Sequence, residues 1–248
     1  MSIDGDTFEP AAVAAELRDT VDQATGHLLR TAARLTDEQA REPSLLPGWS
    51  RGHVLTHIAR NADGLRNLLI WARTGVVTPQ YADEGERERG IVAGAGRSAA
   101  DLLADLDGSA AAFAAEADRL HPGAWAAEVH GRRGPAHPAW FTLQRRLSEV
   151  EIHHVDLDAG YGADDWPTLF AVTSLKRIAA DFADDETPPA RLVSPEAGLA
   201  VQIGPPEAAP LVEVSGPTWA LLAWLVGRTS GAGLTTTPPG QLPALPPW

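Results

Sequence analysis

Glu149 and His153 stand four residues apart in RRLSEVEIHHVD (Arg145–Asp156). On a helix that spacing puts both side chains on one face, close enough to grip a single ion. Carboxylate and imidazole are both donors that Zn²⁺ accepts. Far upstream, GWSRGHVLTHIARN (Gly48–Asn61) carries His53 and His57 at the same spacing. Two helices, each offering a histidine, could place three protein ligands round one metal and leave its fourth position open, the arrangement of catalytic zinc sites. Spacing alone leaves open whether His53 or His57 serves, and whether His153 or its neighbour His154 does. Glu151 and His154 are three apart and point to a different face. Both candidate pairs lie in apolar runs, with Leu55 and Ile58 around His57 and Leu147 and Val150 around Glu149. A carboxylate buried there is costly unless paired or coordinated. Asp156 could hold the second N–H of His153, or equally belong to a surface salt bridge.

The elements that must position these residues read mainly as helices. Apolar positions recur at helical spacing from Pro10 to Leu35. Ser50 is a good N-cap for a second helix running to about Thr74. A Gly-rich excursion follows, read as a loop with a short helix at best, and helical periodicity resumes from Ser98 to Leu120. A Gly/Pro-rich connector (His121–Pro138) leads to a fourth helix, about Ala139–Ala159. Four helices with one long crossover predict a bundle, whose core is a usual place for metal ligands from facing helices. The pattern breaks at Tyr161–Pro167. This predicts two domains: a four-helix-bundle, metal-binding domain over 1–161 and a small C-terminal α/β domain over 168–248, in an α+β protein. In the second domain Leu169–Phe182 reads as a helix, AGLAVQIG and APLVEVSG as strands, and PTWALLAWLVGRTS as a last helix opened by Pro217. The tail TTTPPGQLPALPPW reads as extended along the surface. Arg228, at the end of that last helix, suits either the helix C-terminus or recognition of a carboxylate. Trp49 reads as a helix-entry staple. The Gly-rich stretches near residues 90–96 and 230–233 lack the strand and lysine of a phosphate loop.

Composition narrows the function. Acidic residues outnumber basic ones by 33 to 20, for a formal charge of −13. The basic residues are dispersed arginines with a single lysine, Lys176, which speaks against nucleic acid. With no cysteine, the chain has no disulfide, no thiolate ligand and no thiol nucleophile of its own. The acidic start MSIDGDTFEP predicts no secretory signal. No apolar run approaches the roughly 20 residues of a membrane span, so a cytoplasmic protein is expected. No residue pattern speaks for or against an oligomer.

Three stretches, LLPGWSRGHVLTHIARNADGLRNLLIWARTG…TPQY, RRLSEVEIHHVDLDAGYG and VSGPTWALLAWLVGRTSG, resemble the mycothiol-dependent maleylpyruvate isomerase family. The likeness runs through both domains. It implies a DinB-like four-helix bundle with a small α/β domain, in a cytoplasmic actinobacterial enzyme. It also implies a Zn²⁺ site of His57, Glu149 and His153, with Arg228 acting in catalysis or substrate binding. The cofactors implied are Zn²⁺ and mycothiol, and the partners are that small thiol and a small dicarboxylate-type substrate, with neither nucleic acid nor membrane. The reaction implied is isomerisation of maleylpyruvate to fumarylpyruvate by addition and elimination of a zinc-activated thiolate, as in gentisate-type aromatic degradation. The missing cysteines fit, since the attacking thiol must then come from a cofactor. His53 and His154 are nearby candidates for the proton steps. The competing expectations are a mycothiol S-transferase acting on another electrophile, a zinc-water hydrolase, and a non-catalytic metal-binding bundle.

Overall fold

A computed structural model describes residues 9–132 and 134–248, so the first eight residues of the acidic start lie outside the description. The chain divides into two compact units, Met1–Tyr161 and Gly162–Trp248.

In the first unit the helices are α1 (Pro10–Ala32), α2 (Asp37–Arg41), α3 (Arg51–Thr74), α4 (Glu86–Gly94), α5 (Ala99–Asp118) and α6 (Trp140–Asp156). Helices α1, α6, α3 and α5 pack in a ring, each against the next, and α4 lies against α3. The buried stripe of α3 (Val54, Leu55, Ile58, Leu65, Leu68, Leu69) meets Leu102, Leu106 and Phe113 of α5 and Leu143, Leu147 and Val150 of α6. Each such apolar side chain contributes roughly 1.5–3 kcal/mol through burial.

Helix α3 begins where its cap dictates. The Ser50 hydroxyl accepts from the His53 amide, and the His53 ring accepts at 3.2 Å from the Ser50 amide. The histidine thus plays the part usually taken by Glu or Gln in a capping box. The helix ends on Gly75, whose φ of 72° is left-handed. Helix α6 stops at Asp156 rather than near Ala159, because Asp158 adopts a φ of 50°. Its exposed carbonyls are gripped by Arg51, which donates from Nε to Leu157 O (2.6 Å) and from Nη2 to Asp158 O (2.8 Å). A cation at a helix C-terminus is favourable, and this one ties the first turn of α3 to the last turn of α6. Helix α1 likewise ends at Ala32, short of Leu35. Thr36 then caps α2, which is too short to show periodicity in the sequence. The connector before α6 holds a 3₁₀ turn (Pro122–Ala126) and a short antiparallel pair, β1 (Glu128–Val129) and β2 (His137–Pro138).

The second unit contains α7 (Thr168–Asp181), β3 (Ala190–Ser194), β4 (Leu199–Ile203), β5 (Val212–Ser215), α8 (Thr218–Leu225) and β6 (Thr235–Thr237). Among the described residues the strands form one sheet in the order β4-β3-β5-β6, with β3 and β5 parallel and the outer pairs antiparallel. Ala190, Leu192 and Ser194 of β3 are buried in alternation, as a strand with one covered face requires. Helix α7 packs on β4 and on α8, and α8 packs on β3. The sequence reading anticipated β4 and β5 but not β3 or β6. Strand β3 follows two prolines, and β6 lies in the tail read as merely extended. A run of three threonines becomes an edge strand only because Ser215, Val214 and Glu213 stand beside it in register.

Candidate metal centre

His57 lies in the second turn of α3 and His153 in the last turn of α6, and the Arg51 clamp, one turn before His57, joins the ends of these two helices. Glu149, one turn before His153, completes the group. His57 Nε2 is 3.0 Å from His153 Nε2 and 3.1 Å from Glu149 Oε2, and His153 Nε2 is 3.3 Å from that same oxygen. Among the described residues this is the one cluster of His, Cys, Asp or Glu whose donor atoms converge in this way. Ligands about 2.0–2.1 Å from a tetrahedral ion stand roughly 3.3–3.4 Å apart, close to the separations found. The donor set therefore fits a metal ion such as Zn²⁺. The side chains of His57, His153 and Glu149 are 3, 16 and 29% exposed. The cluster is thus sealed on the α3 side and most exposed at the carboxylate.

The electrostatics separate the two imidazoles. Burial drives His57 down to about 4, despite the hydrogen bond with Glu149, so it is neutral near pH 7. Burial also opposes a charge on His153, but hydrogen bonds to Asp156 and Glu149 outweigh it and raise that group. Burial alone would raise Glu149. Hydrogen bonds with His153 and His57 instead hold it well below the ordinary carboxylate range. Asp156, fully buried, sits 2.7 Å from His153 Nδ1. That contact fixes the proton on Nδ1 and turns the Nε2 lone pair toward the cluster. The surface salt bridge considered for Asp156 is thereby replaced by a buried one.

The structure brings His57 and His153 together and sets His53 and His154 apart from them. His53 is engaged in the α3 cap and stacks on Trp49. His154 faces away, with Nε2 2.8 Å from Thr31 Oγ1 and its ring stacked on that of Tyr161, nearly parallel with centroids 3.8 Å apart. Neither joins the cluster. Trp49, read as a staple, also sets its ring edgewise on His57 with centroids 5.6 Å apart. Arg228 follows α8 in the second unit, where its amide donates to Ala223 O and its Nη1 to Val226 O (2.6 Å).

Several site residues escaped the sequence reading. Arg87 of α4 places Nη2 3.2 Å from His57 Nδ1, with its guanidinium 5.9 Å from the Trp49 ring centroid. An arginine only donates, so in this arrangement the neutral His57 carries its proton on Nε2. Offering Nε2 to a metal moves that proton to Nδ1 and requires Arg87 to give way. Arg87 sits in ERERG, a run that reads as a solvated charged face. Arg146 is fully buried and donates from Nη1 to Ile58 O (2.8 Å) and Asn61 Oδ1 (3.1 Å). Burial lowers its pKa to about 10, against the opposing pull of Glu149. Only the helical phase relative to Glu149 could have pointed to it.

No curated protein sequence matches this chain. Residues 7–158 match the family model described as the mycothiol maleylpyruvate isomerase N-terminal domain. Among solved structures, the chain is similar to a crystal structure of a mycothiol-dependent maleylpyruvate isomerase, at 28% identity and a TM-score of 0.87, over 95% of this chain and 97% of that one. It is equally similar in sequence to a histidine-to-alanine mutant carrying the same name, at 28% identity and a TM-score of 0.85 over the same shares.

Proposed function

We propose, from the premise that this chain belongs to the mycothiol maleylpyruvate isomerase family, that it catalyses the mycothiol-dependent conversion of maleylpyruvate to fumarylpyruvate at a zinc centre held by His57, Glu149 and His153. The observation that carries this reading is the convergence of three donor atoms at 3.0–3.3 Å, most exposed on the carboxylate side. When bound, the zinc would supply a thiol acidified at neutral pH, and mycothiol the nucleophile that lets the cis double bond turn as a single bond.

The chain's own residues prepare that chemistry. His57 and His153 supply neutral donors and Glu149 one negative charge, so a divalent ion keeps a net positive charge that favours a thiolate. Asp156 orients His153. Trp49 and Arg87 wall the His57 side, where a guanidinium released from His57 Nδ1 can meet an anionic reactant. Arg228 is assigned to a substrate carboxylate or the enolate that develops on addition, as an electrostatic stabiliser. This part of the reading rests on the family resemblance.

The test is direct. Purified protein with zinc, mycothiol and maleylpyruvate should consume the substrate and yield fumarylpyruvate, and leaving out mycothiol should abolish turnover. Unchanged substrate in the complete mixture sinks the isomerase assignment. Turnover without any thiol would favour a zinc-bound hydroxide mechanism instead.

A further inference from the structure

Arg145, Glu149 and His153 follow one another along α6 in steps of four, so the Arg145 guanidinium rises from the same helix face one turn away from the Glu149 carboxylate. Its Nη1 is 3.3 Å from His137 Nε2. His137 Nδ1 lies 3.2 Å from its acceptor Pro138 O, leaving Nε2 as a lone pair turned toward the arginine. Burial, and behind it the charge of Arg145, lower the His137 pKa and keep the ring neutral. A neutral imidazole holds the guanidinium in place without compensating its charge. Among the described residues no carboxylate lies within ion-pair distance of Arg145.

Arg145 is half-buried, and its guanidinium lies behind the wall of a groove. A Cβ at position 131 would collide with Arg145 Nη1, so Gly131 supplies the space the guanidinium occupies. Gly131 in turn lines a groove of about 460 Å³, shared with Gln80, Tyr81, Arg132 and Trp71. The Gln80 side chain fixes this wall by accepting from the Arg132 amide at 2.8 Å. Two acids, Asp83 and Glu84, also line the groove, but Asp83 is engaged by Arg89 at 2.7 Å. The charge acting on Arg145 most strongly from outside is that of Glu149. A metal on Glu149 takes up that charge and leaves Arg145 in need of an anion.

We propose that Arg145 is the residue that anchors one carboxylate of the dianionic substrate and so sets the discrimination against monoanions. The proposal rests on the reading of His57, Glu149 and His153 as the metal centre and assigns to it a specificity-determining residue. Arg145 stands one helical turn before Glu149 on the same face of α6, so a carboxylate held by it lies on the side of the helix that carries the cluster.

The probes are maleate and its monoamide maleamate, titrated calorimetrically into the zinc-loaded full chain at low ionic strength. Maleate should bind at least about tenfold more tightly, the effect of one charge-assisted guanidinium contact. Arg145→Gln should erase that preference with zinc content unchanged, and Arg145→Lys should restore part of it. Gly131→Ala, which displaces the guanidinium without removing it, should weaken maleate at least severalfold. It carries the test should Arg145→Gln fail to fold. Equal binding of the two anions by the unmodified chain, or a preference that survives in the foldable variants, overturns the proposal. Zinc analysis of the unmodified chain tests the metal reading separately. A chain without zinc that still prefers maleate through Arg145 would sink that reading alone.

Discussion

At the scale of single residues, the cluster is a balance between ions and protons. Asp156 holds the His153 ring from behind, and loss of such an acceptor typically weakens metal binding 10–100-fold. Asp156→Asn is therefore expected to weaken zinc binding by about that factor, read by competition with a chromogenic chelator. Removal of a donor, as in His57→Ala or Glu149→Ala, should leave the purified protein without stoichiometric zinc by metal analysis. Without metal, the same groups give stability a pH dependence of known sign. His57 is depressed from 6.5 to about 4, so its contribution is present above pH 6.5 and lost as the pH falls toward 4. This is worth on the order of 3 kcal/mol. Glu149 is depressed too, and its contribution is present above 4.5 and lost further down. His153 is raised, so its contribution is complete below 6.5 and fades as the pH climbs through its folded value. Urea unfolding of the metal-stripped chain should show stability declining from pH 6.5 to 4, with a flatter slope in His57→Asn. The four-residue spacing made Glu149 and His153 legible from sequence. Spacing alone did not choose His57 over His53, because both occupy one helix face; the family resemblance pointed to His57, and the cap geometry is what occupies His53.

At the scale of elements, the cluster depends on how α3 and α6 are joined. Ser50 starts α3, and Ser50→Ala should cost about 1 kcal/mol of stability while zinc binding persists, checked by thermal unfolding alongside metal content. Arg146 joins the helices from inside, through Ile58 O and Asn61 Oδ1. Arg146→Ala removes a fully buried side chain and both hydrogen bonds, and is expected to cost more than about 2 kcal/mol in chemical denaturation. The long helices were readable because each carries a sustained apolar stripe. Helix α4 was legible only as a possible short helix and strands β3 and β6 not at all, since a nine-residue charged helix and strands of five and three residues gain their stability from neighbours rather than from their own pattern.

For the whole molecule, the metal is expected to act as a folding ligand of the first unit. At a free zinc concentration a thousandfold above the dissociation constant, binding contributes about 4 kcal/mol. Chelation should thus lower the melting transition of that unit by roughly 10 °C in calorimetry. None of the helices among the described residues is long and apolar enough to cross a membrane. The sequence by itself determined the charge balance, the absence of any thiol in the chain, the long helices and the two segments that carry the donors. These follow from composition and from periodicities that operate within one segment. Only the tertiary structure decided how the histidines meet, that Asp156 is buried behind one of them, that Arg87 reaches His57, and that Arg145 and Arg146 lie near the carboxylate. Those facts depend on the phase and depth at which separate helices pack. Local spacing sets which residues share a face, but the packing of α3 against α6 sets which faces meet.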